Sequence, residues 1–211
     1  MEPRALLLAN GEVTRREIQR LSSVQFKWIV AADGGAHHAL RWNLPLHYIV
    51  GDLDSVPPKL RSQLPETRFI HRPSQEHNDL EKTLQFCQEL GVVHLTLLGM
   101  TGKRLDHTLT NLSVLSRYDH CFRLTILDPH GEMFLVREHF TYTGKIGQLI
   151  SLLPLYTAEG ITTRGLAFPL NHESLHWGKR EGLSNYIVEN PVQLSIKRGR
   201  LLVMALYPDE V

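Results

Sequence analysis

Trp28-Ile29-Val30-Ala31-Ala32-Asp33-Gly34-Gly35 is a run of five apolar residues that stops on an acid and a pair of glycines. A short apolar run bounded by glycine is the pattern of a strand buried on both faces, as the strands of parallel sheets are. The same pattern recurs on either side of it, at Ala5–Ala9, Tyr48–Val50, His94–Leu98 and Leu124–Leu127. Between these runs Thr14-Arg15-Arg16-Glu17 has the spacing of a capping box, and Pro57-Pro58 can open a helix. Leu80, Leu84, Cys87 and Leu90 fall on one helical face before Gly91. Strand and helix alternate in this way over residues 1–132, which predicts an α/β domain built on a doubly wound, Rossmann-like parallel sheet.

The pattern changes near Gly131 to His139. From residue 139 onward strand patterns follow one another at Gln148–Leu153, Gly160–Phe168, Ser184–Glu189, Val192–Ile196 and Leu201–Leu206. They predict a smaller all-β sandwich domain over residues 139–211, with Lys197-Arg198-Gly199-Arg200 as the turn of the last hairpin.

Composition narrows the function classes. The 211 residues are 42% hydrophobic and 21% charged, with a formal charge of +1, and acids and bases alternate without forming a basic arm. That balance gives no field for a nucleic-acid backbone, so nucleic acid is not an expected partner. No stretch approaches membrane-spanning length and no signal peptide is evident, so a cytoplasmic location is the expectation. The two cysteines, Cys87 and Cys121, lack metal-ligand spacing and read as free structural thiols. The 12 histidines include His37-His38, His71, His77 and His107, none of which shares a ligand spacing with the cysteines.

In an open α/β sheet, ligands bind beyond the carboxyl ends of the strands. Here those ends carry aspartate: Asp33 after the quoted strand, Asp52 and Asp54 after Tyr48–Val50, Asp106 in the loop after His94–Leu98, and Asp79 at the start of a helix. A single aspartate before a helix is ordinarily an N-cap. Several at one sheet edge repel one another unless a cation compensates them, and a hard divalent ion such as Mg²⁺ suits carboxylate oxygens. Gly34-Gly35 and Gly99 to Gly102 expose backbone N–H groups near helix starts, and Lys103 and Arg104 add positive charge beside them. Neither a GxGxxG fingerprint nor a GxxxxGK[ST] loop is present, which removes ordinary dinucleotide domains and Walker-type NTPases.

Ala32-Asp33-Gly34-Gly35-Ala36, Gly51-Asp52-Leu53-Asp54-Ser55, Gln75-Glu76-His77-Asn78-Asp79 and Arg104-Leu105-Asp106-His107 resemble, in order and spacing, the signature segments of thiamine pyrophosphokinases. The resemblance continues through Gly147–Pro154, Thr162–Leu166 and Leu183-Ser184-Asn185. It implies transfer of the β,γ-diphosphate of ATP to the hydroxyl of thiamine with release of AMP, Mg²⁺ as cofactor, and a homodimer with shared active sites. It further implies catalytic roles for Asp52, Asp54, Asp79 and Asp106, with Asp52, Asp54 and Asp79 as metal ligands. Asp33, Gly34, Gly35, Gln75, Lys82, Gly102, Arg104, Asp106 and His107 are the implied ATP site, and Phe168, Ser184 and Asn185 the implied thiamine site. The sequence departs from the family where Asn78 replaces threonine, Lys103 replaces glycine, His37 replaces asparagine, and Phe168 stands at a position that is often tryptophan. Because phosphate machinery does not identify the acceptor, a diphosphokinase for another alcohol, such as a hydroxymethylpterin, is one alternative. A non-catalytic regulator that binds nucleotide or thiamine is the other.

Overall fold

The computed structural model describes residues 2–54 and 56–208; Ser55 of the second signature segment lies outside them. The protein is mixed α/β and divides into two compact units, one ending at Pro129 and the next beginning at His130. Residues 137–138, within the stretch where the sequence pattern changes, are a short connection between two strands of the second unit.

In the first unit the strands are β1 (Arg4–Leu8), β2 (Trp28–Ala32), β3 (Tyr48–Gly51), β4 (Arg68–His71), β5 (His94–Leu98) and β6 (Arg123–Asp128). All their pairings are parallel, in the spatial order β4-β3-β2-β1-β5-β6. The helices between them are α1 (Arg15–Arg20), α2 (Ala36–Trp42), α3 (Pro58–Gln63), α4 (Asp79–Glu89) and α5 (Leu105–Tyr118). Leu6, Leu7 and Leu8 of β1 are all 0% exposed, so both faces of this central strand are covered, as its unbroken apolar run requires. On one face Leu6, Leu8, Ile29, Ala31 and Ile49 join Ala36 and Ala39 of α2 in a single apolar cluster. The sequence reading missed β4, because Arg68-Phe69-Ile70-His71 is a half-exposed edge strand with no apolar run to mark it.

Unit two contains β7 (Gly131–Val136), β8 (His139–Tyr142), β9 (Leu149–Arg164), β10 (Glu173–His176), β11 (Gly182–Tyr186), β12 (Val192–Ser195) and β13 (Arg198–Leu206). Their pairings are antiparallel, in the order β7-β13-β9-β12-β8, with β10 and β11 also on β9. The two segments expected at Gln148–Leu153 and Gly160–Phe168 are largely one strand of 16 residues. Left-handed residues at Tyr156 (φ 68°) and Gly160 (φ 63°) bend it, so that its final residues pair with a different neighbour. Ile196 and Lys197 connect β12 and β13 but do not turn a hairpin: each of these strands pairs with β9. Ile150, Leu152, Ile161, Leu175, Ile187, Leu194, Leu201 and Val203 form the core of this unit.

Both cysteines are free, and burial pushes the Cys87 thiol up to about 12, so it stays protonated. No helix among the described residues is long and apolar enough to cross a membrane.

The capping box read from the sequence is present. The Thr14 hydroxyl accepts from the Arg16 N–H, and the Glu17 carboxylate accepts both the Thr14 N–H (3.1 Å) and the Thr14 hydroxyl proton. Glu17 is fully buried, so losing the hydroxyl removes a partner from a carboxylate that water cannot reach. Thr14→Ala is expected to lower the unfolding free energy by about 1–2 kcal/mol. Urea unfolding measures this, and specific activity per folded molecule should stay at the wild-type level.

Candidate active site

At the carboxyl ends of the parallel strands the chain leaves the sheet in four turns. Strand β1 runs into Ala9-Asn10-Gly11, β2 into Asp33-Gly34-Gly35, β3 into Asp52-Leu53-Asp54, and β5 into Gly99-Met100-Thr101-Gly102-Lys103-Arg104. A cavity of about 470 Å³ opens there, lined among others by Asn10, Asp33, Asp79, Lys103, Arg104 and Asp106.

Three carboxylates converge at this edge. Oxygens of Asp33, Asp52 and Asp79 all lie within 4.8 Å of one another. Asp33 is buried, while Asp52 and Asp79 are half-buried. The ammonium of Lys82, 4% exposed, sits 3.1 Å from Asp79 Oδ1 and 3.8 Å from Asp52 Oδ2. Lys82 sets one positive charge beside Asp79 and Asp52, and three carboxylates this close make a donor set that fits a hard divalent cation. Gly51 makes the approach possible, since a Cβ there would stand 2.9 Å from Asp33 Cβ and 3.0 Å from Asp79 Oδ1.

The residues expected from the sequence are distributed unevenly. Asp33 joins Asp52 and Asp79 in the cluster, whereas Asp54 is exposed and donates its N–H to Asp52 Oδ1 at 3.2 Å. Leu53, left-handed at φ 67°, separates the two acids. Gly34, Gly102, Arg104, Asp106 and His107 line the cavity. Lys82 lies behind it, against the acids, and Gln75 is exposed on the loop before α4. Gly35 packs against β1, where a Cβ would meet the Leu8 carbonyl oxygen at 2.1 Å. Arg104 and Asp106 pair through two contacts, one of them Nε to Oδ1 at 3.1 Å. That hydrogen bond lowers the Asp106 carboxyl below its usual range and raises the arginine.

In the second unit Phe168 is 65% exposed and meets the Tyr186 ring edge-on, with centroids 6.0 Å apart. Asn185 is buried, and its side chain is spent on backbone. Its Oδ1 accepts from the N–H groups of Phe168 (3.0 Å) and Tyr186 (2.9 Å), and its amide donates to the Phe168 carbonyl (2.7 Å). Asn185 thus braces an aromatic corner. Ser184 is exposed and left-handed, φ 57°, with its N–H donating to Ser151 Oγ at 3.2 Å.

Two parts of the site went unread in the sequence. Asn10-Gly11 follows an apolar run as Asp33 and Asp52 do, so its place at a strand end was the available signal. His38 gave no such signal. It is 2% exposed, its Nε2–H donates to the Gly11 carbonyl at 3.1 Å, and its Nδ1 is buried without a hydrogen-bond partner. On the adjacent residue, His37 Nδ1–H donates to the Gly34 carbonyl at 2.5 Å. The two imidazoles tie α2 to both turns.

A parallel sheet that presents carboxylates, glycine turns and cations at its strand ends defines a class: enzymes that work on phosphate-bearing substrates. Comparison with known proteins narrows the class. Residues 20–126 match the family model for "Thiamin pyrophosphokinase, catalytic domain", and residues 139–201 match that for "Thiamin pyrophosphokinase, vitamin B1 binding domain". The chain belongs to the thiamin pyrophosphokinase family, and its enzyme class is thiamine diphosphokinase. It is 26% identical to thiamin pyrophosphokinase 1 of Caenorhabditis elegans over 85% of this chain and 79% of that protein. The solved thiamine pyrophosphokinase of Bacillus subtilis has the same fold, with a TM-score of 0.84 at 18% identity, over 97% of this chain and 99% of that one. The Candida albicans structure gives a TM-score of 0.84 at 17% identity over 98% and 90%.

Two outcomes follow. Gly51→Ala should separate Asp33 from Asp79 and cut kcat by about a hundredfold, the scale of a 1 Å misplacement at a reacting centre. Steady-state kinetics beside a melting curve measures this, and unchanged kcat would show that the close approach is not needed. Burial, and then the charge of His37, pushes His38 down from 6.5 to about 4. Between those values the unfolded chain binds the extra proton, so stability falls as pH falls through this window. His38→Leu should flatten the decline of melting temperature between pH 6.5 and 4.

Proposed function

We propose that the site carries out Mg²⁺-dependent diphosphoryl transfer: ATP + thiamine → AMP + thiamine diphosphate. The observation that carries this reading is the convergence of Asp33, Asp52 and Asp79 within 4.8 Å, beside a cavity edged by glycine turns and cations. Asp52 and Asp79 would hold the metal together with Asp33, and Asp54 of the same loop is a further oxygen donor. When bound, Mg²⁺ supplies positive charge that neutralises the ATP phosphates.

The chain's own groups account for the remaining needs of the reaction. Exposed N–H groups of the Gly34 and Gly102 turns receive phosphate oxygens, as helix-start amides do. Arg104 exchanges Asp106 for the phosphate tail, and Lys82 keeps the acid cluster from full repulsion as ligands come and go. The thiamine hydroxyl oxygen attacks the β-phosphorus while a carboxylate of the cluster takes its proton. The bond from the β-phosphorus to the bridging oxygen of the α-phosphate breaks, and AMP leaves. Phe168, held by Asn185, offers an aromatic face to the cationic, aromatic thiamine, and Ser184, the residue before Asn185, is the other expected contact.

This reading takes the first unit as a Rossmann-like catalytic domain and the second as a β-sandwich that binds thiamine and mediates dimerisation. Exposed Leu105 and Leu109 on α5 and exposed Leu183 and Val188 suit a homodimer whose subunits share sites. The balanced charge and ordinary composition suit a cytoplasmic enzyme without nucleic-acid or membrane partners.

Purified protein given ATP, Mg²⁺ and thiamine should release AMP and thiamine diphosphate in equal amounts, should stop on EDTA addition, and should recover with excess Mg²⁺. Asp52→Asn should lose more than about a hundredfold in kcat, the scale of a removed charge-stabilising group, at an unchanged melting temperature. Formation of ADP with thiamine monophosphate, or full turnover by Asp52→Asn, would overturn the mechanism.

A further inference from the structure

Three cations stand at the site, and they differ in what holds them. Lys82 is paired with Asp79 and Asp52, and Arg104 with Asp106, so both are already compensated by carboxylates. Lys103 is not. It lines the cavity, is exposed, and rests its Nζ 2.7 Å from the Asn10 carbonyl and 3.2 Å from Asn10 Oδ1, both neutral oxygens. These contacts satisfy two of the ammonium's donors, and among the described residues no carboxylate pairs with it.

Its backbone strengthens the case. Lys103 is left-handed, φ 54°, directly after left-handed Gly102, φ 78°. Glycine adopts that conformation without penalty, whereas a residue with a Cβ is disfavoured there. A lysine at this position carries a conformational cost that a glycine would not.

Resting on the ATP-dependent reading above, we propose that Lys103 is a further cation that, beside Arg104, receives the phosphate tail of the nucleotide, exchanging the oxygens of Asn10 for those of a phosphate. Asn10 and Gly11 also line the cavity, and the β1 turn adjoins the β5 turn through Gly11 N–H to the Gly99 carbonyl (2.7 Å), so the lysine in its resting contact spans from one turn to its neighbour. Binding of the nucleotide breaks that span and puts the ammonium on the anion. Because Lys103 is exposed, its contribution is screened by salt.

The test is equilibrium binding of ATP with Mg²⁺, and separately of adenosine, to the full chain without thiamine, at low and high salt. Lys103→Gly removes the side chain and relieves the backbone, so it should melt no lower than wild type. Lys103→Gln keeps a donor for the Asn10 carbonyl but no charge, and Lys103→Arg keeps the charge. The expected result is about tenfold weaker ATP binding for both Gly and Gln variants, as for loss of one charge-assisted hydrogen bond. The two should show a shallower salt dependence and unchanged adenosine binding, and Arg should retain most of the affinity. ATP affinity of Lys103→Gly equal to wild type overturns the proposal. So does wild-type affinity in Lys103→Gln, which would make the lysine a brace for Asn10, or a parallel loss of adenosine binding. A wild-type chain that binds no ATP at all overturns it as well. AMP release by the wild type with thiamine is scored independently, so failure of the enzymatic reading is distinguishable from failure of the lysine's role.

Discussion

The site is organised around a repulsion. Three carboxylates within 4.8 Å of one another repel, and the folded chain holds them together because other forces secure the backbone beneath them. The parallel sheet supplies that security. Each acid sits just past a strand or at the first turn of a helix whose own residues are buried, so the cost of crowding is offset by packing that cannot be relaxed locally. Gly51 shows how tight the arrangement is, because even one methyl group would touch both Asp33 and Asp79. Lys82 then acts as an internal counter-charge, long enough to reach two acids from α4 while its stem stays buried.

What the sequence disclosed follows from this. Strands buried on both faces must be apolar throughout, so β1, β2, β3, β5 and β6 were legible as runs, and the acids at three of their ends stood out against them. Edge strand β4 carries no such demand and left no mark. In the second unit, alternation marked where strands lie but not which neighbours they take. Bends at Tyr156 and Gly160 merge two expected strands into β9, and pairing to β9 replaces the expected final hairpin.

Roles of individual side chains were less legible than their positions. Asp52 and Asp54 look equivalent in sequence, yet the left-handed Leu53 between them leaves one in the cluster and the other exposed. Asn185 is an expected ligand contact, and no local pattern shows that its amide also bonds the backbone of Phe168 and Tyr186. His38 reads as one polar residue in a helix, and only tertiary contact joins it to Gly11. Each of these depends on a backbone torsion or a distant carbonyl, which no local pattern encodes.

The torsions themselves point to the site. Among the described residues of the first unit, the non-glycine positions with positive φ are Asp33 (36°), Asn43 (52°), Leu53 (67°) and Lys103 (54°). Asn43 ends α2, an ordinary place for a left-handed asparagine. The other three lie in the turns after β2, β3 and β5, beside the acids or the cavity. An aspartate tolerates that conformation, but a leucine and a lysine gain nothing intrinsic from it, at a cost of roughly 1–2 kcal/mol each. Local preference therefore does not explain the leucine and the lysine, whereas a demand on the turns does: each redirects the chain at once past its strand end, so that Asp33 and Asp52 reach the cluster and Lys103 lines the cavity. The stability of the sheet bears the strain, and the strain is what brings the charges together.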